Sequence, residues 1–231
     1  MATTRSPKQR RRLAIGASVL AAAVVAAGAY WGYVPIWPGI GGVARSPGVA
    51  AASRTASVEL NRRLSEMSGA LPGSPKSLGD AALDRCLREH REFGSDSALP
   101  VFCQRQMALY VTFDGGLQDV ARKWDEALTA KGWQGSLAPL PPGSGYTAER
   151  YDYVDPVTDD YLVITMISDQ QSLPLLSNEQ YFEGAAQHRR EYRPFGDRQA
   201  AESALSGRHH VAEISLIRTY FSEGPRPRPP Y

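Results

Sequence analysis

From Leu13 to Ala44 the chain carries no charged residue, an uninterrupted run of 32. As a helix, Leu13 to Gly32 alone rises about 30 Å, the hydrocarbon thickness of a bilayer. Arg5, Lys8, Arg10, Arg11 and Arg12 precede it with no acid among them. Excess basic charge marks the cytoplasmic flank of a span. Tyr30, Trp31, Tyr33 and Trp37 crowd the other flank, where amphipathic rings favour the membrane–water interface. Pro35 and Pro38 then stop the helix. The expectation is a basic cytoplasmic stub over 1–12, a transmembrane helix over 13–34, and everything beyond it outside the cytoplasm.

Two other readings of this segment stay open. One is a secretory signal peptide cleaved after Ala29, with Ala27-Gly28-Ala29 as the small-residue cleavage site. Eight alanines between Leu13 and Gly32 make the run weakly hydrophobic, which favours that view. Its length and the aromatic flank favour an uncleaved anchor. The other is a twin-arginine signal at Arg10-Arg11, which the following residues fit poorly. Within the span, Ala14, Ser18, Ala22 and Ala26 form a small-residue row, and Gly28 and Gly32 add a GxxxG spacing, the geometry of a transmembrane homodimer. An Ala- and Gly-rich composition produces such rows as well.

The net charge of +2 belongs to the tail, because removing its five basic residues leaves the remainder at −3. Nucleic acid is therefore not an expected partner.

Beyond the span, residues 35–54 lack an apolar period and read as a flexible spacer. Residues 55–76 read as a short helix carrying Leu60, Leu64 and Met67, then a linker with Pro72, Gly73 and Pro75. A second helix is expected with Leu83, Cys86, Leu87 and His90 on one face. Met107, Leu109, Val111 and Phe113 alternate with less apolar neighbours, as in a strand. After the Asp114-Gly115-Gly116 turn, Leu117, Val120, Ala121, Trp124 and Leu128 repeat with helical spacing. Gly132 falls where a left-handed helix cap belongs, with Trp133 behind it. A Pro/Gly/Ser loop runs from Pro139 to Gly145. Glu149–Asp155 and Tyr161–Ile167 read as a hairpin. Ser177 and Gln180 fit a capping box opening a helix that Arg193-Pro194 ends. A shorter helix over Gln199–Leu205 and a final strand from Ala212 to about Phe221 complete the set. The fold class expected for 77–222 is an α+β sandwich with the ferredoxin-like order βαββαβ, followed by an extended Pro-rich tail over 223–231.

Cys86 and Cys103 are the only cysteines, and on the oxidising side of a membrane two lone cysteines pair. His90, His188, His209 and His210 lack metal-ligand spacing, and no cofactor is called for. Asp152, Asp155, Asp159 and Asp160 do not form a calcium loop and suit hairpin turns instead. Tyr151, Tyr153 and Tyr161, with Tyr146 nearby, are the candidate binding surface, since tyrosine joins an apolar face to a polar tip. Cross-strand packing explains the same residues without any partner. No P-loop, GxSxG elbow or GxGxxG turn is present.

Basic stub, Ala-rich anchor, spacer and two-cysteine domain, with 22 arginines against four lysines, together resemble the uncharacterised single-pass envelope proteins of high-GC Gram-positive bacteria. The resemblance is one of layout and composition and carries no functional residue. The expected function is a membrane-anchored extracytoplasmic module binding an envelope protein or ligand. The alternatives are an envelope enzyme using His188, Glu191 or the Asp152–Asp160 cluster, and a secreted protein.

Overall fold

The computed structural model describes residues 39–88, 100–137, 146–176 and 187–224. The uncharged run up to Pro38, His90, the 139–145 loop, the Ser177–Gln180 capping box and the tail from Pro225 lie outside them. Among the described residues no helix is long and apolar enough to cross a membrane.

A helical turn, α1 (Ile40–Ala44), leads into the 24-residue helix α2 (Pro47–Ala70). The side chain of Ser46 caps α2 by accepting from the Val49 amide, and Pro47 occupies the first turn, where its missing N–H costs nothing. The expected spacer is thus helical from Ile40, and the short helix begins eight residues before 55. Val49, Ser53 and Ala56 continue the buried stripe of Leu60, Leu64 and Met67. Small and polar members hid that period in the sequence.

Seven strands form one antiparallel sheet: β1 (Lys76–Arg88), β2 (Val101–Phe113), β3 (Gln134–Leu137), β4 (Ala148–Val154), β5 (Tyr161–Ile167), β6 (Gln187–Arg193) and β7 (His210–Ser222). Their order is β3-β4-β5-β7-β2-β1-β6. The chain is α+β, but the ferredoxin-like order is overturned. The last of these strands lies between β5 and β2, whereas a split βαβ pairs the third of the four expected strands, here β5, directly with the first, β2. Two further strands, β1 and β6, extend the sheet past β2.

The segment expected as a second helix is β1. Residues Ala82 to Arg88 are all buried, and a strand covered on both faces loses the polar alternation that would announce it. Residues 187–193 likewise form the edge strand β6 rather than a helix. Its sequence, QHRREYR, is charged as edge strands often are and carries no apolar period.

Helix α3 (Leu117–Ala130) ends as expected: Gly132 has φ +91°, and Trp133 N–H reaches back to Leu128 O in a Schellman closure. It leads directly into β3, which pairs so closely with β4 that a Cβ on Gly135 would lie 2.1 Å from the Asp152 carbonyl oxygen. The alternation along β2 divides the core. Met107, Val111 and Phe113 meet Leu60, Leu64 and Met67 of α2 and Trp124 and Leu128 of α3. Ala108 and Tyr110 face the other way, toward a 3₁₀ helix (Gln170–Leu176) and helix α4 (Arg198–Ser206). Fully burying each large apolar side chain contributes about 1.5–3 kcal/mol.

Candidate functional site

On the sheet face beneath the 3₁₀ helix and α4 there is a cavity of about 210 Å³. Small side chains make the room. Ala81 of β1 and Ala108 of β2 are register partners and leave the floor open. Beside them Gln106, Tyr110 and Glu213 line the floor, Leu173, Leu176 and Phe195 the walls, and Arg193 and Arg198 complete the lining. Both arginine side chains are largely exposed, so they form the rim.

The floor is polar and fixed. Tyr110 and Glu213 are register partners on β2 and β7, and Thr165 of β5 flanks Glu213 on its other side. Glu213 is only 2% exposed. Gln106 Nε2 donates to Ser215 Oγ at 2.8 Å, and Tyr110 Oη donates to Leu176 O at 3.0 Å while its ring stacks on Phe195 at 3.9 Å. Burial first, then the neighbouring Glu213 charge and hydrogen bond, push the Tyr110 phenol far above its ordinary value. Tyr110 is therefore a permanent donor. The rim guanidinium of Arg193 pairs with Asp80, and that of Arg198 with Glu202 at 3.1 Å. An acidic floor, apolar walls and a basic rim suit capture of a small charged molecule. No serine, cysteine, histidine or lysine is among the described residues that line it.

Cys86 and Cys103 lie directly opposite each other on β1 and β2 and are joined as a disulfide. Both are fully buried, beside Val43, Ala44 and Val49. Cys86 reaches its partner from a strand, not from the expected helix.

The tyrosines do not form one surface. Tyr153 is 1% exposed, within the α2/α3 core, and its hydroxyl donates to Asp125 Oδ1 at 2.8 Å. Tyr151 is half-buried and packs beside it. Tyr161 is buried and points to the opposite face, because its neighbour Leu162 is the residue paired with Tyr153. Alternation along a strand separates them. Tyr146 lines a shallow depression with Asp119 and Glu149, apart from the others.

The acidic cluster serves the fold. Asp160, wholly buried, accepts two hydrogen bonds from Arg218 at 2.7 and 2.6 Å and a third from Arg63, which also holds Asp155 at 2.6 Å. Asp152 pairs with Arg150 at 3.0 Å, and Glu191 with Arg105 at 2.7 Å. His188 sits opposite Cys86 on β6. His209 contacts Asp114 at an exposed turn, and His210 donates through Nε2 to Gly115 O at 2.7 Å. No group of three metal-ligating side chains is found among the described residues.

Gln106 and Glu213 were missed in the sequence. In a strand reading Ala212-Glu213-Ile214-Ser215-Leu216, the polar residues are assigned to solvent. A helix was legible at 199–205, and its apolar face needed a sheet face to cover. That was the available signal that Glu213 and Ser215 are interior. Comparison of the chain with protein families, curated proteins and solved structures finds no match.

Proposed function

We propose that the chain is a membrane-anchored extracytoplasmic binding domain. The segment 13–34 holds it in the membrane with the N-terminus cytoplasmic, and the domain captures a small ligand in the cavity between the sheet and its second helical layer. One observation carries the binding reading: a carboxylate only 2% exposed, Glu213, lines an open volume of about 210 Å³. Tyr110 hydrogen-bonds to that carboxylate, and a ligand entering there meets a polar floor whose geometry is already fixed. The basic stub and aromatic flank support the location, and the Cys86–Cys103 bridge agrees with an oxidising compartment.

The test is thermal denaturation of the detergent-solubilised full chain against a panel of small singly charged and zwitterionic compounds, with Ala108→Leu filling the cavity. At least one compound should raise the melting temperature of the natural chain and not that of the variant. Equal responses, or none, would overturn the reading.

A further inference from the structure

We propose that the cavity takes a small zwitterion of amino-acid size, its ammonium against Glu213 and its carboxylate toward Arg193 and Arg198. This rests on the binding reading above and narrows it to a ligand class.

The charge arrangement is the first argument. Glu213 projects from the middle of β7, with β2 on one side and β5 on the other, so its backbone is held in place. An ammonium arriving at the floor gains a charge-assisted hydrogen bond in a water-poor setting, where such bonds are strongest. Gln106 and Tyr110, already tied to Ser215 and to Leu176, hold the neighbouring dipoles in position.

The rim supplies the opposite sign. Asp80 and Glu202 pair with its two arginines at exposed positions. Exposed ion pairs contribute little, about 0–1 kcal/mol. A ligand carboxylate can therefore replace either acid at small cost. Arginine also offers a planar fork that matches a carboxylate.

Size is the third argument. A dry cavity of about 150 Å³ accommodates benzene, six heavy atoms. By proportion, the 210 Å³ present here holds about eight. Leu173, Leu176 and Phe195 give the middle of that molecule an apolar surround. A molecule with a charge at each end and a short aliphatic body fits all three constraints.

Isothermal titration of the full chain in detergent with 3-aminopropanoate, 4-aminobutanoate and 5-aminopentanoate tests this, with isobutylamine and 3-methylbutanoate as single-charge controls. At least one zwitterion should bind ten-fold or more tighter than both controls, and Glu213→Gln should weaken it at least ten-fold. Arg198→Gln should weaken the same zwitterion without strengthening isobutylamine. Ala108→Leu removes the space while keeping every charge, so it should abolish binding even if Glu213→Gln folds poorly. Binding of a control as tight as that of every zwitterion, lost in Ala108→Leu, would overturn the zwitterion and leave the binding reading standing. No binding by any of the three zwitterions would overturn the inference.

Discussion

Ser53 Oγ on α2 donates a 2.6 Å hydrogen bond to Asp84 Oδ2 on β1, linking buried side chains 31 residues apart in sequence. Tyr220 Oη donates to the other carboxylate oxygen at 2.6 Å, and Arg105 and Arg190 approach Asp84 at 3.5 and 3.8 Å. One aspartate thereby joins the first long helix to the sheet.

Removing that aspartate leaves the Ser53 and Tyr220 hydroxyls without their acceptor, while Arg105 keeps Glu191 and Arg190 keeps Val49 O and Tyr220. With two orphaned donors at about 1–3 kcal/mol each, Asp84→Ala should destabilise the domain by about 3–5 kcal/mol. Ser53→Ala removes one neutral donor and should cost about 1–3 kcal/mol. Urea denaturation followed by tryptophan fluorescence measures both, and a smaller loss for Asp84→Ala than for Ser53→Ala would contradict the account.

The bridge between Cys86 and Cys103 closes a loop of 17 residues. In the chain-entropy picture, losing it should cost about 3 kcal/mol. Cys103→Ser should therefore show a lower urea midpoint. Mass spectrometry of the unreduced protein should give one linked peptide pair, and two alkylatable thiols would refute it.

Tyr153 separates packing from recognition. Tyr153→Phe gives up only the hydrogen bond to Asp125 and should cost about 1 kcal/mol. Tyr153→Ala opens the core and should cost about 3–5 kcal/mol. An alanine variant that melts like the natural chain would return this tyrosine to the surface.

Acid should loosen the hairpin clamp. Burial works against the Asp155 carboxylate, but hydrogen bonds from the Val157 amide, the Thr158 hydroxyl and Arg63 prevail and hold its pKa below the ordinary value. The unfolded chain, with an aspartate near 3.9, then takes up the proton first. The stabilisation is present above about pH 5 and is lost as pH falls through the unfolded value and then the folded one. Asp155→Asn should flatten stability against pH in that window, and an unchanged slope would show that other carboxylates govern it.

The orientation is checked with alkaline phosphatase, which is active only outside the cytoplasm, fused after Tyr231. Activity is expected, because five basic residues precede Leu13. Activity only from a cytoplasmic reporter at the same place would reverse the topology.

What the sequence conveyed depended on exposure. β2, α3, α4, β7 and the β4–β5 hairpin were legible because each carries an apolar period or a clear turn. β1 was misread because two layers bury it, and its Asp84 and Arg85 lie inside. β6 was misread for the opposite reason: as a charged edge strand it shows no apolar side at all. The disulfide was legible from two lone cysteines and the compartment expected for them. The cavity was not, because Ala81, Ala108 and Glu213 acquire meaning only when β1, β2 and β7 lie side by side. Their register is a long-range property, and local patterning does not contain it.

The position of β7 bears on how this protein is made. Of the seven described strands, the one translated last is the one that joins β5 to β2. A chain that stops before His210 would hold β3-β4-β5 and β2-β1-β6 as separate ribbons, each with an open inner edge. Every residue of β5 is buried in the finished domain, so that edge would be greasy and ready to pair with other molecules. Arg63, translated early, also waits until β7 arrives for its shared aspartate to gain Arg218 as second partner. Strand β7 thus acts as the closing piece of the sheet: fragments lacking it should be aggregation-prone substrates for proteolysis rather than smaller working domains.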